Sequence, residues 1–372
     1  ERGKALGIYI ALATIFLALG PLLGGFLTQV FSWRAVFWIN FPIALISIIL
    51  AISSVPTWRR REKLNIDYLG FFISVIFISG FVLGFMEAPN WGWTSLPIMG
   101  LFLLSIISLI TFIGWEKKIP HPLVELTLFK NLTFTTLFSV LLIIQAVAIV
   151  FVFLAIFLQN VLHYSPLMAG LLLLPAMVPI MLMAPVGGHL RDKYGPTLPM
   201  FCGALLVVLS LIWIAIFSHN RGYAWLFPGL LVYGIGMPLI LSGIMATVMN
   251  MVNAQQRGMA SAIFNCARQF GNTIGLALLT GLLASVNKWQ LNSFLHHSPV
   301  PLSRLKEQQI DGLLVQSDQA MKAIAHLSLA HIELLKTAAL NAYTNAFSMT
   351  LLAAAILAFL SLFLILKIPR KQ

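Results

Sequence analysis

Long apolar runs separated by short polar or basic turns occupy most of the sequence. A helix crosses the hydrocarbon core of a bilayer with about 20 residues. By that ruler ten spans are predicted, at 4–29, 34–54, 67–87, 96–115, 134–158, 166–188, 197–217, 223–250, 258–286 and 341–367. The expected fold class is therefore all-α, a polytopic membrane bundle. Between the last two spans, residues 287–339 form the one sizeable aqueous stretch, and their apolar positions recur at helical spacing. One or two amphipathic helices at the outer interface are expected there.

The first span departs from ordinary helix composition, because Gly20, Pro21, Gly24 and Gly25 interrupt it. In water an interior proline costs about 3 kcal/mol and each glycine about 1 kcal/mol. In lipid, small residues let helices approach closely and neighbouring groups re-satisfy the freed backbone. Gly20 and Gly24 share a face, which fits a packing seam. A smooth, bent seam on which two halves of a bundle rock is the alternative reading.

Composition supports the membrane assignment. With 59% hydrophobic and 9% charged residues and a mean hydropathy of +0.94, the chain has too little polar surface for a soluble globule. The net charge of +12 does not point to nucleic acid, because the basic residues are spread over short loops. There they report topology. With residue 1 inside, fifteen Lys and Arg fall on the inner side and seven on the outer, five of those seven within 287–339. Arg59 to Lys63 then read as a topology anchor, and both ends of the chain are expected in the cytoplasm. Seven of the nine tryptophans stand at span ends, as an interfacial belt requires. Cys202 and Cys266 fall inside spans and are expected to be small packing residues without a disulfide or metal role. The chain opens at Glu1 without an initiator methionine or signal peptide, so it is expected to be a piece of something longer.

Several motifs carry a resemblance. GPLLGG at 20–25, followed by SWR at 32–34 and FWINFP at 37–42, resembles the fifth and sixth helices of the fourteen-helix drug:proton antiporter family of the major facilitator superfamily. Asp67 and Gly70 resemble the start of that family's extra helix pair, inserted between two six-helix halves. EAPNWGWTS at 87–95 is similar to its Gly-Trp-x-Ser turn, and HPLVELTLFKNLTF at 121–134 also matches. Gly188, Leu190, Asp192, Lys193 and Gly195 stand in register with the loop signature G-x-L-x-D-[RK]-x-G, although Thr197 occupies a position where a second basic residue is usual. RGMASAIFNCARQFGNTIG, from 257, resembles the penultimate helix. The resemblance implies three units. Residues 1–55 would hold the last two helices of the N-terminal half, 56–130 the inserted pair with its flanking inner loops, and 131–372 the C-terminal six-helix half.

The candidate functional residues follow. Gly20, Pro21, Gly24 and Gly25 are the candidate conformational seam. Gly188, Leu190, Asp192, Lys193 and Gly195 are the candidate gating loop, in which glycines permit a tight turn and the Asp192 anion favours a nearby helix N-terminus. One such N-terminus is suggested by self-comparison at an offset of 255, which lays Arg2-Gly3-Lys4-Ala5 on Arg257-Gly258-Met259-Ala260 and Gly20 on Gly275. Asn265, Arg268, Gln269 and Asn272 fall on one helical face and, with Gln145, are the candidate substrate cavity. Arg268 lies about ten residues, or roughly 15 Å, from the inner surface. A charge at that depth costs at least about 2.5 kcal/mol, so it is expected to face protein or a water-filled cavity. A snorkelling arginine, or one that clamps carbonyl groups between helices, is the equal alternative. His296, His297, His326 and His331 lack a ligand pattern and are expected to be solvated histidines.

No nucleotide-binding or catalytic motif is present in the sequence, so an enzyme is not expected, no cofactor is implied, and an ion gradient is the expected drive. The resemblance implies export of small amphipathic or cationic drugs in exchange for protons by alternating access, in the lipid bilayer of a bacterial inner membrane. A periplasmic adaptor is a candidate partner and nucleic acid is not. It also implies four preceding helices, with an intramembrane acidic residue and a buried arginine tied to proton coupling. None has a counterpart here, so the chain alone is expected not to couple transport to protons. The alternatives are an exporter of an endogenous metabolite such as a siderophore, and a non-transporting membrane scaffold that uses the 287–339 stretch.

Overall fold

The computed structural model describes residues 20, 22–54, 67–120, 122–253, 257–297 and 329–368. The regular elements among them are helical. The described part of α1 (22–30) leads through a turn to α2 (Ala35–Trp38) and α3 (Asn40–Ser54). A hairpin follows, α4 (Tyr68–Trp91) and α5 (Leu96–Glu116), then a 3-10 turn at Leu126–Lys130. The remaining helices are α6 (Leu132–Ala148), α7 (Val150–Asn160), α8 (Pro166–Tyr194), α9 (Thr197–Phe217), α10 (Tyr223–Met251), α11 (Arg257–His297) and α12 (Leu329–Leu366).

Nine candidate membrane spans occur among the described residues. They correspond to the second through tenth predicted spans. Most of the first span, with Pro21, lies outside the described residues, as do Arg2, Lys4, Arg59 to Lys63 and His326.

Local sequence sets the boundaries. Asn131 caps α6 by accepting from the Thr133 and Phe134 amides at 2.9 and 3.3 Å, and Ser165 with Pro166 opens α8 in the usual Ser-then-Pro order. Gly92 and Gly195 close α4 and α8 with φ of 88° and 80°, a backbone region open to glycine at little cost.

Two stretches gain detail and one expectation is corrected. The span predicted at 134–158 is one membrane span, Leu132–Asn160, whose helix is interrupted only at Ile149, where no proline or glycine marks the joint. The described ends of the stretch 287–339 are helical and continuous with the flanking spans: α11 continues to His297 and the described part of α12 starts at Leu329. Its helical periodicity belongs, at both ends, to extensions of the flanking spans. Cys202 and Cys266 are exposed rather than packed.

Helices α6 to α12 share one continuous apolar core, in which Phe134, Ile144, Met200, Leu211, Tyr233, Phe264 and Phe347 are buried. Small residues let the backbones close together, as membrane packing requires. A Cβ on Gly203 would lie 2.6 Å from the Gly236 carbonyl oxygen, and one on Gly271 would lie 2.7 Å from that of Leu142. Hydroxyl groups join neighbouring helices where side chains are short, as when Ser348 donates to the Ala215 carbonyl at 2.8 Å. Prolines inside α8 (175, 179, 185) and α10 (228, 238) remove backbone donors. Near Pro175, the Tyr223 hydroxyl donates to the Leu172 carbonyl at 2.8 Å. The α4–α5 hairpin docks on α11, where the Trp93 indole donates to Ser285 at 3.1 Å and Phe77 meets Phe270 edge-on. In contrast, every residue of α3 from 40 to 53 is exposed, and its surface is apolar on nearly all sides.

Candidate functional site

The candidate seam reaches the bundle at one point. A methyl group on Gly25 would collide with the carbonyl oxygen of Pro166, so α1 meets the first turn of α8 with no side chain between them. Four residues later, Gln29 Oε1 accepts from the Leu167 amide at 3.1 Å. That amide belongs to the first turn of a helix, where backbone donors have no partner within the helix. Gln29 therefore caps α8 from another helix, while Ser165 Oγ takes the Met168 amide at 3.3 Å. Gly20 and Gly24 have nothing within 4 Å of where a Cβ would stand. Of the four seam residues, the structure brings Gly25 into contact, leaves Gly20 and Gly24 open, and does not describe Pro21.

The second motif is a helix end rather than a loop. Gly188, Leu190, Asp192 and Lys193 are all helical within α8, and the turn falls on Gly195, whose amide donates to the Arg191 carbonyl at 2.8 Å. The close approach belongs to the preceding glycine, because a Cβ on Gly187 would lie 2.5 Å from Ser242 Oγ and 3.1 Å from the Pro238 carbonyl. Gly188 has open space around it. Asp192 is exposed and pairs with its neighbour Arg191, whose Nε donates to Asp192 Oδ1 at 3.0 Å. Lys193 Nζ lies 5.0 Å from the centre of the Tyr194 ring.

The third group is a polar stripe on α11. Asn265, Arg268 and Gln269 are exposed and Asn272 is half-buried. Arg268 Nη2 donates to Asn265 Oδ1 at 2.9 Å, one turn back along the helix. The guanidinium is thus held along its own helix, which orders the stripe without a second element. Gln145 is buried on α6, under Gly271 and beside the stripe. The contact that sequence reasoning missed is Gly271-x-x-x-Gly275, whose two bare positions lie against the backbone of Leu142 and Ala146. The signal was in the text as a GxxxG spacing.

Two parts of this arrangement suit a membrane carrier: apolar helices joined through bare glycines, and a polar face with an arginine on a helix long and apolar enough to cross a membrane. The model of the Major Facilitator Superfamily matches residues 1–276. The chain belongs to that superfamily. Among curated relatives, the multidrug resistance protein Stp of Mycobacterium tuberculosis is 30% identical over 82% of this chain and 57% of its own length. The tetracenomycin C resistance and export protein of Streptomyces glaucescens is 28% identical over 77% of this chain and 53% of its own. The multidrug transporter protein MdtP of Bacillus subtilis is 24% identical over 98% of this chain and 70% of its own. The chain thus spans between half and two thirds of the length of the first two. A solved bacterial homologue of the human lysosomal transporter Spinster, inward-facing and occupied, matches 98% of this chain and 69% of its own at a TM-score of 0.53. At 16% identity that likeness is one of fold. Membership in the Major Facilitator Superfamily places this integral membrane chain among transporters rather than enzymes.

Proposed function

We propose that this superfamily member exports small amphipathic or cationic drugs in exchange for protons by alternating access. The observation that carries the proposal is the polar stripe Asn265–Arg268–Gln269–Asn272 on a helix of otherwise membrane composition, since a charge at that depth must meet a cavity or protein rather than lipid. Its amides offer both donors and acceptors to a varied set of amphipathic solutes. The fixed arginine suits an acidic or carbonyl group that changes partner during the cycle. Similarity to two proteins named for multidrug resistance or transport supports the substrate class. In this reading Gln145 borders the cavity, the Gly25–Pro166 contact is the working seam, and the α8 end at Gly188–Gly195 biases one conformation over the other.

The surplus of Lys and Arg on one side supports a bacterial inner membrane with both ends of the chain in the cytoplasm. A periplasmic adaptor is retained as a candidate partner. The test is reconstitution of the complete gene product in liposomes with an imposed pH gradient. Cationic dye transport is expected, and Arg268→Ala should reduce it at least tenfold while leaving the folded yield unchanged. Transport that persists undiminished in Arg268→Ala would remove the stripe from the mechanism.

A second reading, export of a natural product, is favoured by the relative named for tetracenomycin C resistance and export. A transport panel of dyes and polyketide-like compounds separates the two.

A further inference from the structure

The inserted hairpin carries two carboxyl groups that the transport reading does not use. Asp67 precedes α4 and caps it, with Oδ1 accepting from the Gly70 amide at 2.9 Å and from the Trp115 indole at 3.0 Å. Glu116 ends α5, is 3% exposed, and accepts from the Val124 amide through Oε2 at 3.2 Å. Each carboxyl then has one oxygen left, Asp67 Oδ2 and Glu116 Oε1, and both are buried without a hydrogen-bond partner. The two orphans converge. A methyl group on Gly70 would collide with Asp67 Oδ2 and stand 3.1 Å from Glu116 Oε1.

Two buried carboxylate oxygens beside the same glycine without a donor repel, and neither gains anything from solvent. Among the described residues the surrounding charges do not relieve them. Lys117 and Lys118 follow Glu116, Glu125 and Lys130 lie on the segment that supplies Val124, and Arg257 opens α11, on which the hairpin packs. Among the described residues none of these is hydrogen-bonded or ion-paired to either carboxyl. The four Lys and Arg among them are exposed. The smallest ligand that relieves the pair is a proton, which neutralises one carboxyl and removes the repulsion.

We propose that Asp67 and Glu116 share one proton at neutral pH, so that the base of the α4–α5 hairpin is a proton-binding site. It does not rest on the transport reading. The donors already present fit this role: Trp115 and Gly70 hold one carboxyl by its outer oxygen and Val124 holds the other, which leaves both inner oxygens beside Gly70. Gly70 is required because a Cβ there would occupy the space where they meet. Release of the proton would leave two like charges at the hairpin base and favour their separation.

The test is infrared spectroscopy of the purified protein. At neutral pH an exposed Asp or Glu is ionised, so a carboxylic-acid carbonyl band reports buried protonated groups. The expected result is a band equivalent to one acid per chain, lost in both Glu116→Gln and Asp67→Asn and kept in Glu87→Gln. Should those two variants fail to fold, Trp115→Phe decides. It removes a donor that favours the ionised form, so the pH midpoint of the band should rise. The proposal is overturned by the absence of an acid band at neutral pH, by a band that survives both variants, or by an unmoved midpoint in Trp115→Phe. A band that emerges only when sodium and potassium are withdrawn would assign the pair to an inorganic cation and overturn it equally.

Discussion

Glycines of the same chemical type do different work in this chain, and the space around each one decides which. A Cβ on Gly275 would collide with the backbone of Ala146, whereas one on Gly20 or Gly24 meets nothing within 4 Å. Backbone cannot step aside as a flexible side chain can, so a larger residue at 275 must push α11 away from α6. Overpacking of this kind costs roughly 1–3 kcal/mol, and more where backbone is the obstacle. Gly275→Leu is expected to lower the melting temperature in detergent by several degrees, or to prevent folding. Gly20→Leu and Gly24→Leu are expected to leave it within error. Equal destabilisation by all three would mean that α1 packs more tightly than the structure shows. The offset that lays Gly20 on Gly275 therefore pairs an open position with a closed one.

At the scale of the element, the start of α8 depends on a partner outside itself. Its Leu167 amide is capped by Gln29 of α1, and in a water-poor setting an uncapped amide has no substitute acceptor. Gln29→Ala should cost about 0.5–2 kcal/mol locally, in the range of other lost helix caps. Hydrogen exchange followed by mass spectrometry should show faster exchange confined to the 165–170 peptide. Exchange that is unchanged there would show that the cap contributes nothing. Spans and the turn at Gly195 were legible in the sequence because hydropathy and a glycine's backbone freedom act over a few neighbouring positions. The seam was legible only as a composition: that Gly25 and not Gly24 meets α8 depends on the rotation of α1 about its axis, which a run of apolar residues does not encode. The break at Ile149 has no local signal at all. The motif at 188–195 was read as a loop, but the helix α8 continues to Tyr194 before Gly195 stops it. The Asp67–Glu116 pair was hidden because its members stand on different helices and meet only once the hairpin closes.

For the whole molecule, the question is whether the contact between α1 and α8 is a fixed joint or a working one. Helices α6 to α12 share one core of interdigitated large side chains, and such packing resists sliding. The α1 contact with α8 is built otherwise, from a bare glycine against a proline carbonyl and one side-chain hydrogen bond. At these two points it presents no knob to be withdrawn from a hole, so there it can break and remake at low cost. If it is the moving seam, its geometry must follow the transport cycle. Cysteines placed at Gln29 and Leu167, in a background where Cys202 and Cys266 are replaced by serine, are within reach of a short bifunctional thiol reagent. In the complete protein the crosslinking yield is expected to change at least severalfold when a pH gradient or a bound cationic dye shifts the conformation. Crosslinked molecules should no longer transport. A yield that stays constant under both treatments, in protein that still transports, would make the seam a static contact and move the hinge elsewhere in the bundle.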